Sequence, residues 1–150
     1  MRKFTFRLET LLQIRELAKE KAIVNYGKAI AKREKCEEKR SLEMSNLTLL
    51  KNQIKQNRIL GFYAHQQSPF SLSLQSLKDK ITLLNKQVDD ARTAEDVKRK
   101  IFNEADSRYK SLLKLKSNQK SEHFSSESRK EDFELEDIIN SRFLYNRFTQ

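Results

Sequence analysis

Glycine and proline are almost missing, with two glycines and one proline in 150 residues. Sheets and multi-helix bundles depend on turns, and turns draw heavily on these two residues, so their scarcity argues against both. Tryptophan is absent, and the single cysteine, Cys36, excludes an internal disulfide. Cys36 falls on an apolar helical position and reads as a small hydrophobe. No run approaches the roughly 18 consecutive apolar residues of a membrane-spanning helix. Arg2, Lys3 and Arg7 stand where a secretory signal would carry its apolar core. The chain therefore reads as soluble and cytoplasmic, without insertion into a membrane, and the Asn46-Leu47-Thr48 sequon as a chance match.

The residues that chemistry needs are also scarce. With so little glycine there is no phosphate-cradling loop, and no Gly-Lys-Ser or Gly-Lys-Thr marks a P-loop. His65 and His123 are far apart and neither is flanked by ligands at metal spacing. Ser107 with Lys110, and Ser117 with Lys120, match a bare Ser-x-x-Lys pattern that a lysine-rich chain produces by chance. No catalytic residue, metal site or cofactor is expected, and the chain reads as a non-enzyme.

What is abundant is charge. Asp, Glu, Lys and Arg make up 35% of the residues against 37% hydrophobic, the net charge is +10 and the pI is near 9.7. That balance resembles a long helix or coiled coil more than a globular domain. An excess of bases suggests an anionic partner, which could be nucleic acid, a membrane surface or an acidic protein. The bases are nevertheless interleaved with acids along the whole chain, so a solvated helical surface explains them and no nucleic-acid site is expected.

The apolar residues are periodic. Leu74, Leu77, Ile81, Leu84, Val88, Ala91, Glu95, Lys98, Phe102, Ala105, Tyr109 and Leu112 follow alternating steps of three and four, broken in character only by Glu95 and Lys98. This is the seam that two supercoiling helices require. An earlier stretch carries the same signal through Phe4, Leu8, Leu11, Arg15, Ala18 and Ala22. It resumes through Tyr26, Ala29, Arg33, Cys36, Arg40, Glu43, Leu47, Leu50 and Ile54. Two successive four-residue steps at Ala18, Ala22 and Tyr26 predict a stutter, and Arg33, Arg40 and Glu43 predict a weakly zipped middle.

Between the two seams, Ile59 to Leu77 contains no Asp, Glu, Lys or Arg but holds Phe62, Tyr63, Phe70 and the only proline. Gly61 ends the first pattern, Pro69 is expected to forbid helix continuation, and Ser68 or Ser71 offers a cap for the second. The expected fold is all-α: a long two-helix antiparallel coiled-coil hairpin over residues 1–150, with arms at about 4–58 and 74–145 and a tip at about 59–73. Phe62, Tyr63 and Phe70 either plug the end of the hairpin or form a contact surface.

Folding about a centre near residue 66 puts Phe4 roughly opposite Ser128, so residues from about 130 overhang. Leu135, Ile138, Ile139, Phe143, Leu144 and Phe148 lie there, in part as a helical stripe that calls for a partner or for self-association. The serine-rich stretch "SNQKSEHFSSES" is the expected place for the second arm to bend or fray.

The two ends carry a family resemblance. "FTFRLETLLQIRELAKEKA", Phe4 to Ala22, resembles the opening of the FliJ family, which commonly begins Phe-x-Phe-Arg-Leu followed by Leu-Leu and Arg-Glu. "ESRKEDFELEDIINSRF", Glu127 to Phe143, resembles its closing segment, although Leu135-Glu136-Asp137 exchanges the usual order of the acids. The resemblance implies a component of the flagellar type III protein export apparatus, similar to the central stalk of rotary ATPases. Such a stalk inserts its terminal end into the hexameric export ATPase, promotes assembly and activity, reaches toward the membrane export gate and escorts export chaperones.

By position, the resemblance implies ATPase contacts at Phe4, Leu8, Leu11, Leu135, Glu136, Asp137 and Phe143, and gate or chaperone contacts at Phe62, Tyr63 and Phe70. It implies a cytoplasmic location, peripheral at the flagellar base on the inner face of the cell membrane. An injectisome stalk protein shares the architecture, but the Phe-x-Phe-Arg-Leu start favours the flagellar branch. A basic coiled coil that binds nucleic acid, and a plain structural spacer, are the readings from other classes.

Overall fold

The computed structural model describes residues 3–148, apart from the side chains of Ala64, Asn146 and Phe148. Phe148, expected on the overhang, therefore lies outside the described side chains. Two helices make up nearly all of the described chain: α1, Glu9–Leu60, and α2, Ala64–Phe148. Both are rich in Ala, Leu, Glu, Lys, Arg and Gln, which lose little rotamer freedom in a helix. Glu9 in the first turn of α1 and Arg58 in its last complement the helix dipole.

The helices pack against each other as an all-α helical hairpin, within which two compact units are distinguished: Met1–Lys19 with Glu104–Gln150, and Glu20–Asn103. In the first unit Glu9 pairs with Lys116 and Lys19 with Asp106, so the two segments run antiparallel. In the second, Arg33 pairs with Glu95 and Glu43 with Lys80, with the same sense.

The seam expected on α2 is present. Ile81, Leu84, Val88, Ala91 and Leu112 are buried, Val88 completely, and of the expected positions only Lys98 is exposed. On α1 the seam from Ala22 to Ile54 falls on the expected residues, all of them buried or half-buried. N-terminal to Ala22 it does so only at Phe4 and Arg15, both half-buried. Leu8 and Leu11 are 39% and 38% exposed and Ala18 is exposed, whereas Leu12, Arg15 and Lys19 face the partner segment.

From Leu12 through Arg15, Lys19, Ala22 and Tyr26 the steps alternate three and four without interruption, so the predicted stutter is absent. The cause is chemical. Phe6, Leu12 and Leu112 form a buried cluster, with Phe4 and Tyr109 packed against it. Long basic side chains then carry the seam onward, their apolar stems lying along α2 while their charged heads find partners there.

The turn is narrower and earlier than expected. Only Gly61, Phe62 and Tyr63 interrupt the helices, and Pro69 lies inside α2. Proline fixes φ near a helical value, and as the sixth residue of α2, just past the first turn, Pro69 costs the helix one ladder bond, to the His65 carbonyl, without ending it. The helix therefore starts ahead of it, with Gln66 N–H donating to the Tyr63 carbonyl at 2.9 Å. Gly61 adopts φ of 99°, the left-handed conformation with which helices commonly end.

The register within the terminal unit also differs from the expected one. Phe4 meets His123, with ring centroids 5.7 Å apart, rather than a position near Ser128. α2 passes through the serine-rich stretch as continuous helix, with His123 half-buried and Glu127 buried along one face.

Candidate partner-contact surfaces

The centre of the Glu20–Asn103 unit is a charged lock set into the apolar seam. Arg33 donates from Nε to Glu95 and from Nη1 to Glu37 at 2.7 Å, while Arg92 Nη2 donates to the other Glu37 oxygen at 2.7 Å. Further along, Lys80 donates to Glu43, which also accepts from Asn46 Nδ2 at 3.3 Å. The hydrogen bond from Arg92, with Arg33 close by, holds the Glu37 carboxyl below its ordinary range, and the Lys80 ammonium does the same for Glu43. The bond to Glu95 raises the pKa of Arg33. Two of these groups, Arg33 and Glu43, come from seam positions whose charge made the middle of α1 look weak. Arg40 is different: its buried Nε has no hydrogen-bond partner.

The turn lies in the same unit. Phe62 and Phe70 are half-buried against each other, ring centroids 5.6 Å apart, and line a recess of about 430 Å³ with Asn57, Leu60, Gln66 and Pro69. They thus close the turn, whereas Tyr63, stacked beside His65 at 5.7 Å, is 72% exposed. Ile59, Leu60 and Leu72 are at least as open as most of the overhang, at 77%, 84% and 69%. An apolar, uncharged surface therefore surrounds the turn, and of the three aromatics singled out by sequence only Tyr63 stands fully on it.

The other candidate surface belongs to the unit that holds both chain ends. Phe4 is half-buried on His123, and Leu8 and Leu11 flank the seam rather than entering it. On α2, Glu127 is the last buried residue among the described side chains, its carboxylate accepting from Lys130 Nζ at 2.9 Å. From residue 128 on, every described side chain is exposed, among them Phe133, Leu135, Glu136, Asp137 and Phe143. Sequence reasoning missed Phe6 and Leu12 as core, although their apolar character and position next to Phe4 and Leu11 were signals in plain view. It also missed Lys19, which no apolar pattern could reveal.

Among the described residues no cluster of His, Cys, Asp and Glu could hold a metal ion, and no helix is long and apolar enough to cross a membrane. The class defined by these observations is an all-α helical hairpin with exposed apolar surface at its turn and along the last part of α2. The family described as flagellar FliJ protein matches residues 4–147, and the chain belongs to that family. It is accordingly a component of flagellar type III protein export. No curated protein and no solved structure matches it.

Proposed function

We propose that the chain acts as a non-enzymatic stalk in flagellar export, cytoplasmic and peripheral at the flagellar base. Its terminal unit engages the hexameric export ATPase and promotes ring assembly and turnover. Its turn engages the export gate or an export chaperone. The observation that carries this reading is the run of exposed apolar residues after Glu127: Leu135 at 57%, Ile139 at 63% and Phe143 at 67% lie on one helical face with no described segment over them.

In this reading Phe4, Leu8, Leu11, Leu135, Glu136, Asp137 and Phe143 contact the ATPase. Leu8 and Leu11 suit that role better as exposed flanks than they would as seam residues. Phe62 and Phe70 shape the turn, and Tyr63 makes the contact with the gate or chaperone.

The test is a pair of surface variants of the full chain. Leu135→Asp combined with Phe143→Asp should abolish ATPase stimulation while leaving gate and chaperone binding intact. Tyr63→Ser should do the reverse. If both variants supported ATPase stimulation and gate binding equally well, the assignment of the two surfaces would be wrong.

A further inference from the structure

The exposed surface of α2 in the terminal unit changes sign along its length. Between Ser107 and Lys120 lie Arg108, Lys110, Lys114, Lys116 and Lys120 and no acid. Between Glu131 and Asp137 lie Asp132, Glu134 and Glu136 as well, and no base. Some of the bases are already used: Lys110 pairs with Asp106 and Lys116 with Glu9. Lys114 and Asp132 have no ion-pair partner among the described residues, and both are exposed.

Exposed apolar side chains accompany both halves. Leu113, Phe124, Leu135 and Ile138 are 43%, 40%, 57% and 50% exposed. Steps of three and four through Leu113, Ser117, Lys120, Phe124, Ser128, Glu131, Leu135 and Ile138 place them on one stripe of the helix. Lys114 and Asp132 are separated by five whole turns of about 3.6 residues, so they stand on the same flank of that stripe.

We propose that a second copy of the chain covers this stripe. The two α2 segments run antiparallel about a two-fold axis close to Phe124. Phe124 then packs on its own equivalent, Leu113 of each copy packs on Leu135 of the other, and Lys114 of each lies beside Asp132 of the other. Residues 113 and 135 are equidistant from 124, and 114 and 132 are equidistant from a point one residue away, so apolar and charged registers coincide. Every contact occurs twice, as an isologous interface requires.

Charge order selects this occupant. A uniformly acidic partner would be repelled by the 131–137 half, and a uniformly basic one by the 107–120 half. A helix whose charge runs in the opposite order suits both, and this chain turned antiparallel is such a helix. The inference concerns the free protein and does not depend on which partner the chain has in export.

The test is the mass of the full chain in solution by sedimentation, with helicity followed by circular dichroism to confirm folding. The unchanged protein should sediment at twice its 17.8 kDa at low salt and dissociate as salt rises. Lys114→Glu alone and Asp132→Lys alone should each raise the dimer dissociation constant about tenfold or more, because each places like charges together twice. An equimolar mixture of the two variants, and the double variant K114E/D132K, should both recover the dimer. A monomer at every concentration for the unchanged chain, a dimer indifferent to the single reversals, or failure of the mixture to recover it would each overturn the proposal.

Discussion

Lys19 and Asp106 form a 3.0 Å ion pair across the two segments of the terminal unit. The same ammonium lies 4.9 Å from the centre of the Tyr109 ring, so one basic side chain meets a carboxylate and an aromatic face together. This pair explains why the seam passes through residue 19 instead of Ala18, and why the heptad steps of α1 run without a stutter.

That placement is testable by substituting the same residue at neighbouring sites. Ala18 is exposed and Ala22 is 7% exposed. Ala18→Glu should leave thermal stability nearly unchanged, whereas Ala22→Glu should cost about 2 kcal/mol by forcing a carboxylate into the seam. Equal effects in a melting experiment would restore the register through Ala18.

The two glycines should respond with opposite signs to the same change. Gly61 sits at φ of 99°, and a Cβ there would meet nothing within 4 Å, so its requirement is conformational alone. Gly61→Ala should destabilise by about 1 kcal/mol. Gly27 lies inside α1 with equally open space around it, and Gly27→Ala should stabilise by about 0.5 to 1 kcal/mol. Chemical denaturation of both variants reads the two signs directly.

Arg40 holds a seam position at the cost of a buried Nε–H without an acceptor. Arg40→Met keeps an unbranched stem of similar reach and removes that donor. It should raise stability by about 1 kcal/mol. A loss of stability in denaturant titration would mean that the guanidinium contributes more through its remaining contacts than the orphaned donor removes.

The ion pairs set a pH window. Arg92 and Arg33 hold Glu37 below the ordinary carboxylate range, Lys80 and Asn46 do so for Glu43, and Lys110 and Lys19 for Asp106. A carboxylate with a lowered folded pKa contributes stability that is full above its unfolded value of about 4 and is lost as pH falls through the lowered one. Asp106 shifts Lys19 the other way, raising it above 10.5, so its contribution is full below that pH and lost as pH rises through the raised value. The melting midpoint should therefore be flat between about pH 5 and 9 and fall on both sides, with the acid side blunted by salt. A midpoint that rose on acidification below pH 4 would contradict these assignments.

Much of this was legible in the sequence because one helix type dominates and the seam of α2 is written in apolar residues. Leu84, Val88 and Ala91 could hardly face anywhere else. The N-terminal part of α1 misled because it has more apolar residues than its seam can use. Leu8 and Leu11 competed with Phe6 and Leu12, and burial went to the pair able to cluster with Leu112. The turn misled because Pro69 reads as a breaker, whereas as the sixth residue of α2 it removes one ladder bond and the helix continues through it. The candidate surfaces were visible as an absence of charge around Phe62 and Tyr63 and as a stripe with no counterpart after Glu127. Which aromatic faces outward depends on the contact between Phe62 and Phe70, which no sequence pattern records.

Engagement of the export ATPase by the terminal unit is the central proposal. The most direct measurement is the ATP hydrolysis rate of the flagellar export ATPase titrated with the full chain at moderate salt, with ring assembly followed in parallel. Stimulation should saturate near one chain per ring, accompany hexamer formation, and disappear with Leu135→Asp and Phe143→Asp together. An unchanged rate and no binding at any ratio would contradict it.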